Sequence, residues 1–129
     1  MKIYEDRDAM ISAAQYAYQK LLDNEDFKSN VGNLDITFGL KIENLKIDWQ
    51  VICKRGEVIW EEGNGKKNDF AFSFKNGKAF YEAFMEKHSP FYFILTKKLK
   101  FSGDILLSQK LAEFARPLQK AFQEAAEQS

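Results

Sequence analysis

The sequence has few of the residues that form disulfides and metal sites, and it has no excess of charge of either sign. It contains one cysteine, one histidine and two prolines in 129 residues. A single cysteine cannot close an intramolecular disulfide, and one cysteine with one histidine cannot provide the four ligands of a structural zinc site. Nineteen basic residues balance nineteen acidic ones, so the net charge that attracts nucleic acid is missing. We therefore expect no metal, no cofactor and no nucleic-acid partner.

Long apolar runs and targeting signals are also missing. The first eight residues are rich in acidic side chains, where a secretory signal needs a basic region and then an apolar run. The longest strongly apolar stretch, around residues 90–95, is far shorter than the ~20 residues that a membrane-spanning helix needs. We expect a cytoplasmic protein without stable membrane insertion.

Apolar and aromatic side chains are abundant. Hydrophobic residues make up 45% of the chain and aromatic residues 15%, with 12 phenylalanines. A chain of this length buries roughly two-thirds of its unfolded surface, which is enough for one compact core. No repeat or linker divides the sequence, so residues 1–129 are expected to form a single domain.

The first half of the chain predicts a helix followed by four strands. Apolar residues recur at helical spacing over 8–23, after Asp6 and Asp8, which can cap the helix. Alternating apolar and polar residues then predict a hairpin of strands over 34–42 and 45–53. A short strand over 58–60 and a fourth over 69–74 follow, each after a glycine-containing turn. We expect these strands to form an antiparallel meander with one solvated face.

The second half of the chain predicts two helices separated by one strand. Helical spacing over 78–88 ends at Ser89-Pro90, and alternation predicts a fifth strand over 98–103. Asp104 then begins a terminal helix or helix pair, with a kink or break expected at Pro117. The resulting fold class is α+β, with a five-stranded, mainly antiparallel sheet and helices covering one face.

A short motif near the C-terminus carries a family resemblance. The run from Lys98 to Leu107, Lys-Leu-Lys-Phe-Ser-Gly-Asp-Ile-Leu-Leu, is followed by Lys110-Leu111 and resembles the signature of the sterol carrier protein 2 (SCP-2) family. The order of strands, glycine turn and helix upstream extends the resemblance over about residues 34–115. The sequence departs from the family at one point, because the frequent Thr-Gly-Lys element is here Thr96-Lys97-Lys98.

The resemblance implies an apolar tunnel between sheet and helices that accepts a sterol, a fatty acid or a fatty acyl-CoA. Candidate lining residues are apolar residues of the second half, with three strand residues on the sheet side: Phe80, Phe84, Phe91, Phe93, Leu107, Leu111, Phe114, Ile36, Phe38 and Trp49. Periodicity alone explains the same residues as ordinary core. Three lysines could hold a charged head group at the tunnel mouth, namely Lys97, Lys98 and Lys100, with Lys66 and Lys67 as further candidates. A solvated charged face is the alternative.

No set of residues in the sequence indicates catalysis. His88 suits the carbonyl end of a helix, Cys53 lies on the dry register of its strand, and Asp104 is explained as a helix cap. We therefore expect a non-enzymatic lipid carrier. Two alternatives remain: an interaction module that uses the helical face of residues 104–126, and a small steroid- or polyketide-type enzyme that uses His88 or Asp104 as proton acceptor.

Overall fold

The computed structural model describes residues 5–32, 34–63, 67–84, 95–111, 119–121 and 123–125. Two helices precede the sheet, α1 (Arg7–Leu22) and α2 (Glu25–Val31). The strands are β1 (Asp35–Ile42), β2 (Ile47–Lys54), β3 (Glu57–Glu62), β4 (Phe70–Phe74) and β5 (Leu99–Gly103). Helix α3 (Gly77–Phe84) separates β4 from β5, and α4 (Ile105–Ser108) follows β5.

The five strands form one mixed sheet in the order β3-β2-β1-β4-β5. The β1–β2, β2–β3 and β4–β5 pairs are antiparallel, whereas β1 and β4 are parallel. The predicted α+β class and the mainly antiparallel sheet are confirmed. The predicted meander is wrong at its fourth strand, because the chain leaves β3 at one edge of the sheet and returns beside β1.

Asn68, shortly before β4, lies over the face of the sheet that the sequence predicts to be solvated. Gln50 points to this open face, yet it is 0% exposed. Its side-chain amide donates to Asn68 Oδ1 at 2.8 Å. Asp69 then fixes the start of β4 against β1, because its backbone N–H donates to Thr37 O at 2.7 Å and its Oδ2 accepts from Thr37 N at 2.9 Å. The open face is therefore partly covered by the chain itself.

Helix α1 covers the apolar face of the sheet and confirms the predicted first helix. Asp6 caps it, because its carboxylate accepts from the backbone of Asp8 and Ala9. The buried side of α1 is mostly small, and consists of Met10, Ala13, Ala14, Ala17 and Leu21. The tyrosine on the neighbouring turn, Tyr18, donates its hydroxyl to the carbonyl oxygen of Val58 in β3. This bond satisfies a backbone acceptor of an edge strand.

Helix α2 has no counterpart among the predicted elements. Asn24 caps this short helix by accepting from Phe27 N at 3.0 Å, and Phe27 is buried in the core. The helix is seven residues long. That is too short for an apolar stripe to repeat, so periodicity could not detect it.

The second half of the fold follows the prediction in part. Helix α3 and strand β5 lie where they were predicted, and Asp104 caps α4 by accepting from Leu107 N at 3.0 Å. The predicted terminal helix or helix pair begins where expected, after Asp104, with α4 followed directly by a 3-10 turn at Gln109–Leu111, and residues 112–118 lie outside the described residues. Pro117, with its predicted kink, and His88 lie outside the described residues. Residues 119–121 and 123–125 are helical, and Ala121 and Ala125 are buried in the core.

Candidate functional site

An aromatic layer lies between the sheet and the helices. Alternation places Ile36, Phe38 and Trp49 on one face of the sheet, and all three are buried in one cluster with Phe80 of α3. The Phe80 ring lies 6.3 Å from that of Trp49, edge to face. Leu107 is partly buried and packs against this cluster. The other predicted lining positions lie outside the described side chains: Phe84, Phe91, Phe93, Leu111 and Phe114.

The aromatic layer continues toward the β5 edge through residues that the sequence did not single out. Phe70 stacks on Phe38 at 5.3 Å between ring centroids and lies 6.1 Å from Phe101. Phe72 and Phe101 are only partly buried and lie 5.3 Å apart. The signal was present in the sequence, because Phe70, Phe72 and Phe74 share one register of β4 with the apolar side of β1.

A cleft opens from the surface to this layer between α1 and β3. Its volume is about 100 Å³. One predicted residue, Trp49, forms its floor, and Trp60 packs edge to face on Trp49 with centroids 5.3 Å apart. The remaining walls come from α1 and from the end of β3: Ile11, Ala14, Gln15, Tyr18, Glu61 and Glu62. The cleft is thus a mainly apolar opening with a few polar groups at its rim.

The polar groups of the cleft have distinct environments. Tyr18 is bonded to Val58 O, and burial raises the pKa of its hydroxyl. Trp60 Nε1 is buried and has no hydrogen-bond partner among the described residues. A buried donor without an acceptor is unfavourable by about 1–3 kcal/mol. Arg7 Nη2 lies 3.9 Å from Glu62 Oε1 at the surface. Such an exposed ion pair contributes little to the stability of the fold.

The three lysines predicted to hold a head group do not all face the aromatic layer. Lys100 pairs with Ser73 on the open face of the sheet, whereas its neighbour Phe101 faces the aromatic layer. Lys97 and Lys100 line one hollow of about 230 Å³ on the open face, together with Glu43, Ser73 and Lys75. Lys98 is partly buried beside them. Lys67 is exposed in the connection over the open face, and Lys66 lies outside the described residues.

Two residues considered for catalysis, Cys53 and Asp104, have structural surroundings in the described ranges. Cys53 is buried, and burial raises its thiol pKa to about 12, so it is not a thiolate nucleophile near neutral pH. No group of three or more histidine, cysteine, aspartate or glutamate side chains in the described ranges could hold a metal ion. Asp104 is used as a helix cap. Among the helices that the structure describes, none is long and apolar enough to cross a bilayer.

The described residues form an α+β fold, in which helices cover the apolar face of a five-stranded mixed sheet. The profile of the SCP-2 sterol transfer family matches residues 8–116, and the chain belongs to this family. Members bind and transfer lipids and are generally non-catalytic carrier domains. No curated protein matches the chain.

Solved structures share the fold at low sequence identity. The sterol carrier protein domain 2 of Helicoverpa armigera is 18% identical, with a TM-score of 0.63, over 82% of this chain and 87% of that chain. The ubiquinone synthesis protein UbiJ-SCP2 is 12% identical, with a TM-score of 0.62, over 88% of this chain and 97% of that chain. The sec-alkylsulfatase Pisa1 from Pseudomonas sp. is 21% identical, with a TM-score of 0.56, over 68% of this chain. The match spans only 13% of the sulfatase chain.

Proposed function

We propose that this protein is a non-enzymatic, cytoplasmic lipid carrier. Its ligand is a fatty acid, a fatty acyl-CoA or a sterol-like molecule held in the aromatic layer between sheet and helices. The observation that carries this proposal is the cleft between α1 and β3, whose floor is Trp49, within a chain of the SCP-2 family. The predicted lining residues Ile36, Phe38 and Phe80 lie in the same buried cluster as Trp49.

The cleft is too small for a whole lipid, so the ligand has to widen it. Helix α1 is suited to this movement, because its buried face contains three alanines, which bury little apolar area. Moving α1 away from the sheet therefore loses fewer apolar contacts than moving a helix whose buried side chains are leucines. Each ligand methylene that enters the layer contributes about 0.8 kcal/mol, so an acyl chain compensates for the lost contacts of α1.

The ligand class is best tested with a panel of different polar ends. Fatty acids, fatty acyl-CoA and a sterol follow from the resemblance to the SCP-2 family. An isoprenoid quinone belongs in the panel as well, because one protein of the same fold is named a ubiquinone synthesis protein. Lys97, Lys98 and Lys100 stay a prediction as head-group contacts, although Lys97 and Lys100 line the open face of the sheet. If they hold a head group, the fatty acid and the fatty acyl-CoA should bind more tightly than the uncharged lipids.

Two neighbouring residues of β3 provide the test of the site. Trp60 forms the wall of the cleft, whereas Ile59 pairs with Ile52 on the open face and is 43% exposed. We expect Trp60→Ala to lower the affinity for lipid at least about tenfold, because apolar contact area is lost, and Ile59→Ala to leave the affinity unchanged. Affinities are measured by titration with a fluorescent fatty acid and by the rise in melting temperature that bound ligand produces. Equal effects of the two variants would refute this site, and no binding of any panel lipid would refute the carrier function.

One observation favours the alternative of an interaction module. Ile105 and Leu106 at the start of α4 are 63% and 73% exposed. Exposed adjacent apolar residues are typical of contact surfaces. If Ile105→Ser and Leu106→Ser abolish binding of a partner protein while no lipid of the panel binds, this function replaces the carrier function.

A further inference from the structure

The balanced net charge conceals an uneven distribution of lysines. Six lysines lie where the ends of β1 and β4 meet the start of β5, and we call this surface the basic corner: Lys41, Lys46, Lys75, Lys97, Lys98 and Lys100. One carboxylate, Glu43, lines the hollow at its centre, and its Oε1 accepts from the Ser73 hydroxyl at 3.1 Å. Asp48 of β2 pairs with Lys41 across the sheet, whereas Glu61 and Glu62 lie farther from the lysines, on β3.

The sheet register fixes the spacing of these cations. Lys41 pairs with Ser73, and Ser73 pairs with Lys100, so the two lysines flank the serine on the open face. Adjacent strands are ~4.8 Å apart, which places the two lysine backbones ~10 Å from each other. Lys75 and Lys97 line the same hollow of about 230 Å³. Among the described residues, Lys75, Lys97 and Lys100 have no ion-pair partner.

The chemistry of the basic corner fits an extended anionic surface better than one small anion. Five of its six lysines are exposed and are spread along the ends of β1 and β4 and the start of β5, and the Ser73 hydroxyl is already bonded to Glu43. Lysines act as separate point charges, which suits many phosphates in a plane. The residues that line the hollow include no aromatic side chain on which a nucleic-acid base could stack.

An exposed apolar side chain lies beside the lysines. Leu95 is 78% exposed and precedes Lys97 by two residues. Apolar side chains next to basic ones are typical of surfaces that enter the head-group region of a bilayer. We propose that the basic corner, with Leu95, docks this protein on membranes that contain anionic phospholipid. Helix α1 has no comparable cluster, because it contains only two basic residues, Arg7 and Lys20, and Arg7 stands between Asp6 and Asp8.

Charge reversal at two places of the sheet tests the proposal. The variant K75E/K100E changes the basic corner, and the control K54E/R55E makes the same charge change at the β2–β3 turn. All four side chains are exposed, so both variants should fold, which circular dichroism and the melting temperature verify. Binding is measured by co-sedimentation with vesicles of phosphatidylcholine alone and of phosphatidylcholine with phosphatidylserine, at low and high salt.

The expected result is binding to the phosphatidylserine vesicles that weakens with salt, because salt screens exposed charges. K75E/K100E should bind at least about tenfold more weakly, and K54E/R55E within about twofold of the unmodified protein. Leu95→Ser should weaken binding with all charges intact. Equal loss in both reversal variants, equal binding to both vesicle types, or Lys75- and Lys100-dependent binding to a single-stranded oligonucleotide in place of vesicles would overturn the proposal. Failure of the two proposals can be told apart: if no lipid of the panel binds the protein while K75E/K100E alone weakens vesicle binding, the carrier function fails and the docking surface stands.

Discussion

Gly103 lies so close to Asp69 that a Cβ atom at position 103 would come within 2.5 Å of the Asp69 carbonyl oxygen. Gly103 has a φ of +102°, a conformation that side chains of L-amino acids rarely allow. The next residue, Asp104, donates its backbone N–H to that carbonyl at 2.9 Å and caps α4. Asp69 also bonds Thr37 of β1, so this contact joins three strands and a helix start.

The first prediction concerns this close approach. Gly103→Ala should destabilise the fold by about 3 kcal/mol, because it adds a clash to an unfavourable φ. Gly63 is a matched control, with a φ of +86° and no atom within 4 Å of the place that a Cβ would occupy. Gly63→Ala should therefore lose only about 1 kcal/mol from backbone strain. Urea unfolding measures both, and equal losses would show that the Asp69 contact is unimportant.

A second prediction uses the departure from the family element Thr-Gly-Lys. Lys97 stands at the glycine position and has a φ of 60°, in the left-handed region. Lys97→Gly should relieve strain and stabilise the fold by up to about 1 kcal/mol, after the greater entropy of glycine in the unfolded chain is subtracted. Lys98→Gly, one residue later, should destabilise it. A loss of stability for Lys97→Gly in urea unfolding would contradict this interpretation.

A third prediction tests the connection that covers the open face. Asn68→Ala removes an acceptor of the wholly buried Gln50 amide and should destabilise the fold by about 1–2 kcal/mol. Asn68→Asp keeps an acceptor oxygen and should be less harmful than alanine. Chemical denaturation of the two variants provides the comparison. The interpretation fails if alanine and aspartate are equivalent.

A fourth prediction follows from the buried thiol. Burial raises the pKa of Cys53 to about 12 from an ordinary value of 9.0, so the folded state retains a proton that the unfolded state loses. Stability should therefore fall as the pH rises from 9 toward 12. Between pH 8 and pH 10 the protein should lose about 1 kcal/mol more than the Cys53→Ala variant does. Identical pH dependence of the two proteins would contradict the raised pKa. Tyr18 is common to both proteins, so the difference isolates Cys53.

The fold could be predicted from the sequence where local patterns determine it. Alternation identified the β1–β2 hairpin and β5, and helical spacing with a capping aspartate identified α1. Alternation determines which face a side chain occupies, but it does not determine which strands are neighbours. The seven residues between Glu62 and Phe70 have no periodic signal, so the sequence does not show that β4 returns to pair in parallel with β1.

The site was predictable to a similar extent. Ile36, Phe38 and Trp49 share a face because strand residues alternate, and the structure places them together. The cleft was missed, because Tyr18 and Trp60 come from elements far apart in sequence, although Trp60 has the same register as the buried Val58. Lys100 and Phe101 are neighbours in one strand, so the sequence alone implies that their side chains lie on opposite faces of the sheet. The hollow that Lys100 shares with Lys75 required the pairing of β4 with β5.

The central claim is that the apolar layer holds a lipid, and native mass spectrometry of the purified protein tests it most directly. We predict a mass above that of the 15.0 kDa chain. The excess should disappear on solvent extraction, and the extract should contain one lipid per chain. Returning that lipid to the stripped protein should raise the melting temperature. A bare mass, with no stabilisation by any lipid of the panel, would contradict the account and leave the aromatic layer as an ordinary filled core.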